Sequence, residues 1–248
     1  MSELILHIPH ASDFIPKLDG YLVDLKTLEK EILTLTDWYT DELFFCADST
    51  LIKAEFSRVF CDVERFSEDK EEVMAKFGMG VFYERAEDGS LMRNLDKDLK
   101  KGFLEKYYWP HHNRLEKAVE DQIENSGKAL IVDCHSFPSV PLARDLSQAK
   151  DRPDFNIGTD DFHSPKHLVD YSKEFFESRG YSVGIDWPYS GSIVPMKYYK
   201  KNKAVQSMML EVNRALYLEE PTNQKSQNFQ FIQELVKEFL ANLKNKII

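Results

Sequence analysis

The chain has 248 residues, 42% of them hydrophobic, enough for one α/β domain with a fully buried sheet, which excludes a disordered or purely fibrous protein. Its 32 Lys and Arg against 42 Asp and Glu leave a formal charge of −10 at pH 7, so the long-range field repels polyanions and no nucleic-acid partner is expected. Three cysteines, Cys46, Cys61 and Cys134, are an odd number without paired spacing, which argues against disulfides or a thiolate metal site and for a reducing, cytoplasmic setting. The N-terminus lacks a basic segment followed by a long apolar one, and no run approaches the ~20 apolar residues of a membrane span, so no membrane partner is expected.

In chain order, residues 4–8 are a short apolar run closed by Pro9 and read as a buried strand, with a loop over 10–16 leaving its end. Thr36 or Asp37 caps an expected helix through about Ala47, where Trp38, Leu43 and Phe45 fall at roughly helical spacing. A strand is expected over 56–63. Residues 67–94 are charged, glycine-punctuated and weakly periodic, and read as a loop-rich covering flap with one short β segment around 80–83. From about 96 to 125, Leu99, Phe103, Tyr107, Leu115, Val119 and Ile123 mark a long helical stretch, interrupted near Pro110 because its ring does not fit inside a continuous helix. Further strands are expected over 129–132, 155–157, 182–185 and 204–212, with a helix over 165–178 before the third of these. A C-terminal helix carries one apolar stripe through Phe229, Ile232, Val236, Phe239, Leu240 and Leu243. Strands alternating with helices imply a three-layer α/β fold with a mostly parallel or mixed sheet covered on both faces. No repeat, low-complexity tract or linker divides the chain, so 1–248 reads as one domain.

In such folds the site lies at the carboxyl ends of the strands. His10 follows the first strand, Asp62 to Arg65 close the expected strand over 56–63, His135 follows another, and Glu211 ends a late one. Two histidines and a carboxylate make a three-ligand set for a catalytic zinc that keeps one position open for water. No His-Glu-x-x-His helix is present, so such a site has to be assembled from separate strand ends. Taken singly, His10 and His135 also read as hydrogen-bonded structural residues.

Several blocks resemble the N-formylglutamate amidohydrolase family, in the family's order. They are His7-Ile-Pro-His10-Ala-Ser, Thr36-Asp37-Trp38-Tyr39, Ser57-Arg58-Val59-Phe60-Cys61-Asp62-Val63-Glu64-Arg65, Asp133-Cys134-His135-Ser136, Gly158-Thr159-Asp160-Asp161, Pro188-Tyr189-Ser190-Gly191 and Leu210-Glu211-Val212-Asn213-Arg214. The resemblance spans about residues 4–217. That family is similar in turn to the zinc carboxypeptidase and aminoacylase fold, which implies Zn(2+) as cofactor, a zinc-activated water attacking an amide carbon, and a small N-acyl amino acid as substrate.

The resemblance assigns His10, Asp37 and His135 to the metal and Glu211 to the proton transfer that the chemistry needs. Asp13, three residues after His10, is an alternative carboxylate ligand, and Asp37 at a helix start also reads as an N-cap. Glu211 has an alternative as an ion-pair partner of Arg214. Formylglutamate is a dianion, and Arg58, Arg65 and Arg214, in family blocks at or beside strand ends, suit bidentate carboxylate binding. Where the family reads Asp-x-Asn-Arg, this chain has Asp62-Val63-Glu64-Arg65. Glu64 is then expected beside the substrate carboxylate, which it repels unless it pairs with an Arg, and this opens the substrate range to other N-acyl amino acids. His111 and His112 read as packing or supporting groups, His163 as a loop residue near the site, and Tyr107, Tyr108 and Trp109 as core. Two further functions compete. A metal-binding protein without turnover requires that Glu211 and the ligand set not share a cleft, and an amidase on cell-wall fragments requires a long open groove.

Overall fold

The computed structural model describes residues 4–247, and its strands are β1 (Leu4–Ile8), β2 (Thr50–Lys53), β3 (Ala129–Phe137), β4 (Phe155–Gly158), β5 (Val183–Ile185) and β6 (Val205–Asn213). They form one six-stranded sheet in the order β2-β1-β3-β6-β4-β5. Every pairing is parallel except β4 against β6. The sheet is therefore mixed, with its longest strands, β3 and β6, at the centre.

Strand alternation sorts the side chains into two layers. Leu4, Leu6, Leu130, Val132, Ile157, Met208 and Leu210 point to one face, where they pack with α5 (Lys166–Glu177) and α6 (Phe229–Ile247). Ile5, Ile131, Ala129 and Val205 point to the other and meet Leu115, Ala118 and Val119 of α4 (Trp109–Ser126). This is the expected three-layer α/β arrangement. Among the described residues no helix is long and apolar enough to cross a membrane.

Three expectations are corrected. The expected strand over 56–63 is a run of turns closed by Phe60 N–H and Cys61 N–H donating to the Ser57 carbonyl. Its apolar residues Phe56, Phe60 and Val63 instead fill a side core with Phe82 and Phe103; burial alone produced the strand-like pattern, while the real edge strand is β2 just upstream. The helix expected over 36–47 is a single turn, α2 (Thr40–Leu43), because Tyr39 is left-handed with φ 62°. The long helix of this region is α1 (Leu25–Leu35), capped by the Asp24 side chain on Thr27 N–H. The helical stretch from 96 is continuous through Pro110: α3 (Lys97–Phe103) passes through a π turn (Leu104–Tyr108) into α4. The wider turn accommodates the proline ring and its missing donor, so Pro110 lies in the first turn of α4.

The flap over 67–94 holds a 3-10 turn (Val73–Phe77) and isolated bridges, of which Met79–Tyr83 replaces the expected β segment. A partly buried clamp ties this flap to α1 and to the loop after β3. Arg144 Nε donates to Glu87 Oε2 at 2.8 Å, its Nη2 lies 3.3 Å from Glu31 Oε2, and its Nη1 donates to the Arg85 carbonyl at 2.8 Å.

Candidate active site

Register places the chemistry. His7 of β1 pairs with Asp133 of β3, and two residues further along His135 of β3 pairs with Glu211 of β6, which pairs in turn with Asn156 of β4. Paired residues share a face, so these side chains form two rows on the α4 side of the sheet, at the carboxyl end of its parallel strands. His10 follows β1 by two residues. The rows open into a cavity of about 280 Å³ whose walls include His10, Asp37, Glu64, His135, Glu211 and the flap residue Met79.

Asp37 Oδ2 lies 3.1 Å from His135 Nδ1 and 3.6 Å from His10 Nδ1. Ligand atoms held tetrahedrally at about 2.0 Å from zinc stand about 3.3 Å apart, so these separations match such a site. His10 Nδ1 is also buried without a hydrogen-bond partner, a costly arrangement unless an electrophile sits there. The donor set therefore fits a divalent cation. Asp13, the alternative ligand, is exposed to solvent.

The far side of each imidazole rests on a carboxylate, as in carboxylate–histidine–metal arrangements. His10 Nε2 lies 2.9 Å from Asp62 Oδ1. His135 Nε2 lies 3.2 Å from Asp133 Oδ1 and 3.1 Å from Glu64 Oε2. His7, Glu64 and Asp133 form a second group of ligand type, but both nitrogens of His7 are committed, to Asp133 at 2.7 Å and to His111 Nε2 at 2.8 Å. That group supports the first.

Charge is tightly balanced. Burial alone would raise Asp37, yet the His10 and His135 imidazoles and the Arg214 charge hold it well below the usual carboxylate range. Asp62 is likewise held low against its burial, chiefly by Arg58 and then by His10 and Arg65. His135 would be lowered by burial but is raised well above its ordinary value by Glu64 and Asp133. Glu211 behaves oppositely: burial pushes it up to about 8, the charges of Asp37 and Glu64 adding to the effect. Its Oε2 is buried without a partner. Arg214 pairs with Asp37 at 2.9 Å, so the alternative ion pair of Glu211 with Arg214 does not form.

Of the cleft arginines, Arg58 donates to Asp62 and Tyr83 and Arg214 to Asp37 and the Thr34 carbonyl. Arg65 Nε is buried with no hydrogen-bond partner, 3.7 Å from Asp62 Oδ2. Glu64 is brought to the histidines, and no Arg pairs with it among the described residues. His163 is structural, its Nδ1 donating to the Val205 carbonyl and its Nε2 accepting from Lys200 N–H. Tyr107 and Tyr108 lie in the side core as expected, while Trp109 is 44% exposed. The sequence reading passed over Asp133, His7 and Arg144. A two-residue strand period running back from His135 would have found Asp133; Arg144, in an irregular loop, carried no signal.

Fold and site together define a mixed α/β protein that gathers two histidines, a carboxylate and an adjacent buried glutamate at the carboxyl ends of its strands. Residues 2–218 match the family model described as N-formylglutamate amidohydrolase; the chain belongs to that family and so to the hydrolases of linear amide bonds. It is 27% identical over 252 residues to the N-formylglutamate deformylase of Pseudomonas putida, with 97% of this chain and 91% of that protein covered. The crystal structure of N-formylglutamate amidohydrolase from Ralstonia eutropha JMP134 shares its fold with a TM-score of 0.84 at 23% identity, over 98% of this chain and 95% of that one. The product of gene Atu2144 from Agrobacterium tumefaciens is more distant, with a TM-score of 0.67 at 18% identity over 98% of this chain and 92% of that one.

Proposed function

We propose that the chain hydrolyses the amide of N-formylglutamate or a closely related N-acyl amino acid, with zinc held by His10, Asp37 and His135. The supporting observation is the convergence of two imidazole Nδ1 atoms on one Asp37 oxygen, at 3.1 and 3.6 Å, with Glu211 beside them in register with His135. Bound there, zinc supplies Lewis acidity, lowering the pKa of a water and polarising the scissile carbonyl. The protein residues supply the rest. Glu211, facing the same cleft and pushed up by burial only while no cation is present, would be held ionised by the bound cation's charge and so takes the proton of the attacking water and returns it to the leaving amine. Its buried, unpartnered Oε2 suits a group that must change protonation without a competing hydrogen bond. Arg65, whose Nε stands 3.7 Å from Asp62 Oδ2 without a hydrogen bond, offers its guanidinium to a substrate carboxylate, while Arg58 and Arg214, already hydrogen-bonded to Asp62 and Asp37, hold those carboxylates in place. A cavity of about 280 Å³ favours an amino-acid-sized substrate over an extended cell-wall strand, and the shared cleft favours turnover over binding alone.

The test is metal analysis of the purified protein, followed by an amine-release screen over N-formyl, N-acetyl and short peptide substrates. About one zinc per chain, lost in His135→Ala, and highest kcat/KM on N-formylglutamate are expected. Unchanged metal content in both His10→Ala and His135→Ala would show that the site lies elsewhere.

A further inference from the structure

Glu64 lines the cavity, yet its charge is answered by histidines and not, among the described residues, by an arginine. Among the described residues its ionic contacts are all histidines: His135 Nε2 at 3.1 Å, His7 Nδ1 at 3.7 Å and His10 Nε2 at 3.9 Å. Its backbone N–H donates to Asp62 Oδ1 at 3.0 Å, the oxygen that also holds His10 Nε2. The turn after Asp62 is thereby fixed with the Glu64 carboxylate at the Nε2 edges of His135 and His10. The His135 ring is then gripped from both ends, by Asp37 at Nδ1 and by Glu64 at Nε2. Asp133 reaches the same Nε2 at 3.2 Å but takes a shorter bond, 2.7 Å, from His7.

We propose that Glu64 is a positioning residue for His135: its carboxylate accepts the Nε2–H together with Asp133, which fixes the tautomer with the Nδ1 lone pair toward Asp37 and makes that nitrogen a stronger donor. The inference rests on the metal reading of the preceding section. A second ion held by His7, Glu64 and Asp133 is the competing account. It is disfavoured because His7 Nδ1, facing the Asp133 carboxylate at 2.7 Å, must carry the proton of that bond and so has no lone pair to give.

The experiment compares wild type with Glu64→Gln and Glu64→Ala. Zn2+ dissociation constants are measured by competition with a chelator, the visible spectrum with Co2+, and kcat and KM on N-formylglutamate. Each variant should bind one equivalent, with a dissociation constant raised about 10–100-fold in Glu64→Ala and less in Glu64→Gln, which keeps an acceptor oxygen. The Co2+ bands should shift, and kcat should fall while KM changes by under about threefold. Unchanged dissociation constants in both variants would overturn the proposal, all the more if KM for the charged substrate falls. Two equivalents in wild type, one of them lost in Glu64→Ala, would overturn it in favour of an ion site. A wild type without zinc affinity would instead overturn the metal reading itself.

Discussion

Glu211 and His135 stand side by side across the β3–β6 ladder and are both driven toward the protonated form by opposite causes, the carboxyl by burial and the imidazole, against its burial, by the charges of Glu64 and Asp133. Glu211→Gln should keep the metal and the fold while cutting turnover about 100-fold or more, the loss typical of removing a general base; near-wild-type kcat would remove Glu211 from the mechanism. The same burial has a signature in the chelator-treated protein. Burial pushes the Glu211 carboxyl from its ordinary 4.5 up to about 8 in the metal-free fold, so the folded state binds the proton more tightly. Its contribution to stability is complete below the lower value and fades as pH rises through the upper one. The melting temperature of chelator-treated wild type should therefore fall more between about pH 5 and 8.5 than that of Glu211→Gln. Parallel curves in calorimetry would count against the shift. His10, His135 and Glu211 could be read from the sequence because each closes an apolar run. Asp37 could be placed only by resemblance, since nothing in its local pattern separates a helix cap from a residue drawn 1% exposed into the site.

Among elements, the regular strands were visible and the irregular segments were not. β3 and β6 are nearly all buried, so hydrophobic continuity marks them. The turns over 56–63 carry the same continuity without a ladder, and periodicity has no means of telling the two apart. Likewise, the break between 36 and 40 depends on Tyr39 adopting a left-handed backbone, and its ring packs against Phe229, far away in sequence. The roof over the cavity depends on the same kind of information. Arg144, 8% exposed at its side chain, holds Glu31 and Glu87, residues far from it in sequence. Arg144→Ala leaves two carboxylates facing each other with no cation. Leaving these partly buried carboxylates without their donor costs about 1–3 kcal/mol, or a melting-point loss of roughly 2–12 °C at this chain length. Limited proteolysis should also cut within 139–150 at least tenfold faster, on the order expected when local opening loses ~1.4 kcal/mol or more. A variant as protease-resistant as wild type would mean that the apolar contacts of the roof suffice.

For the molecule as a whole, alternation of strands and helices correctly specified a covered α/β sheet, but not that β4 runs antiparallel beside β6, because strand direction is set by how the chain between 137 and 155 returns. The strand order β2-β1-β3-β6-β4-β5 has a temporal consequence. β6, which carries Glu211, is the last strand in sequence and yet lies at the centre, joining the β2-β1-β3 half to the β4-β5 half. Non-local parallel pairing of this kind is the slow part of folding. During synthesis the histidines and Asp37 emerge long before the strand that completes the sheet, so a nascent chain holds the ligand residues but neither a continuous sheet nor the proton acceptor. Competence should then switch on in one step with cooperative closure. In refolding from denaturant with zinc present, amine release and the far-ultraviolet signal of the sheet should rise with the same rate constant, and activity that preceded the sheet would show that the centre assembles without its keystone strand.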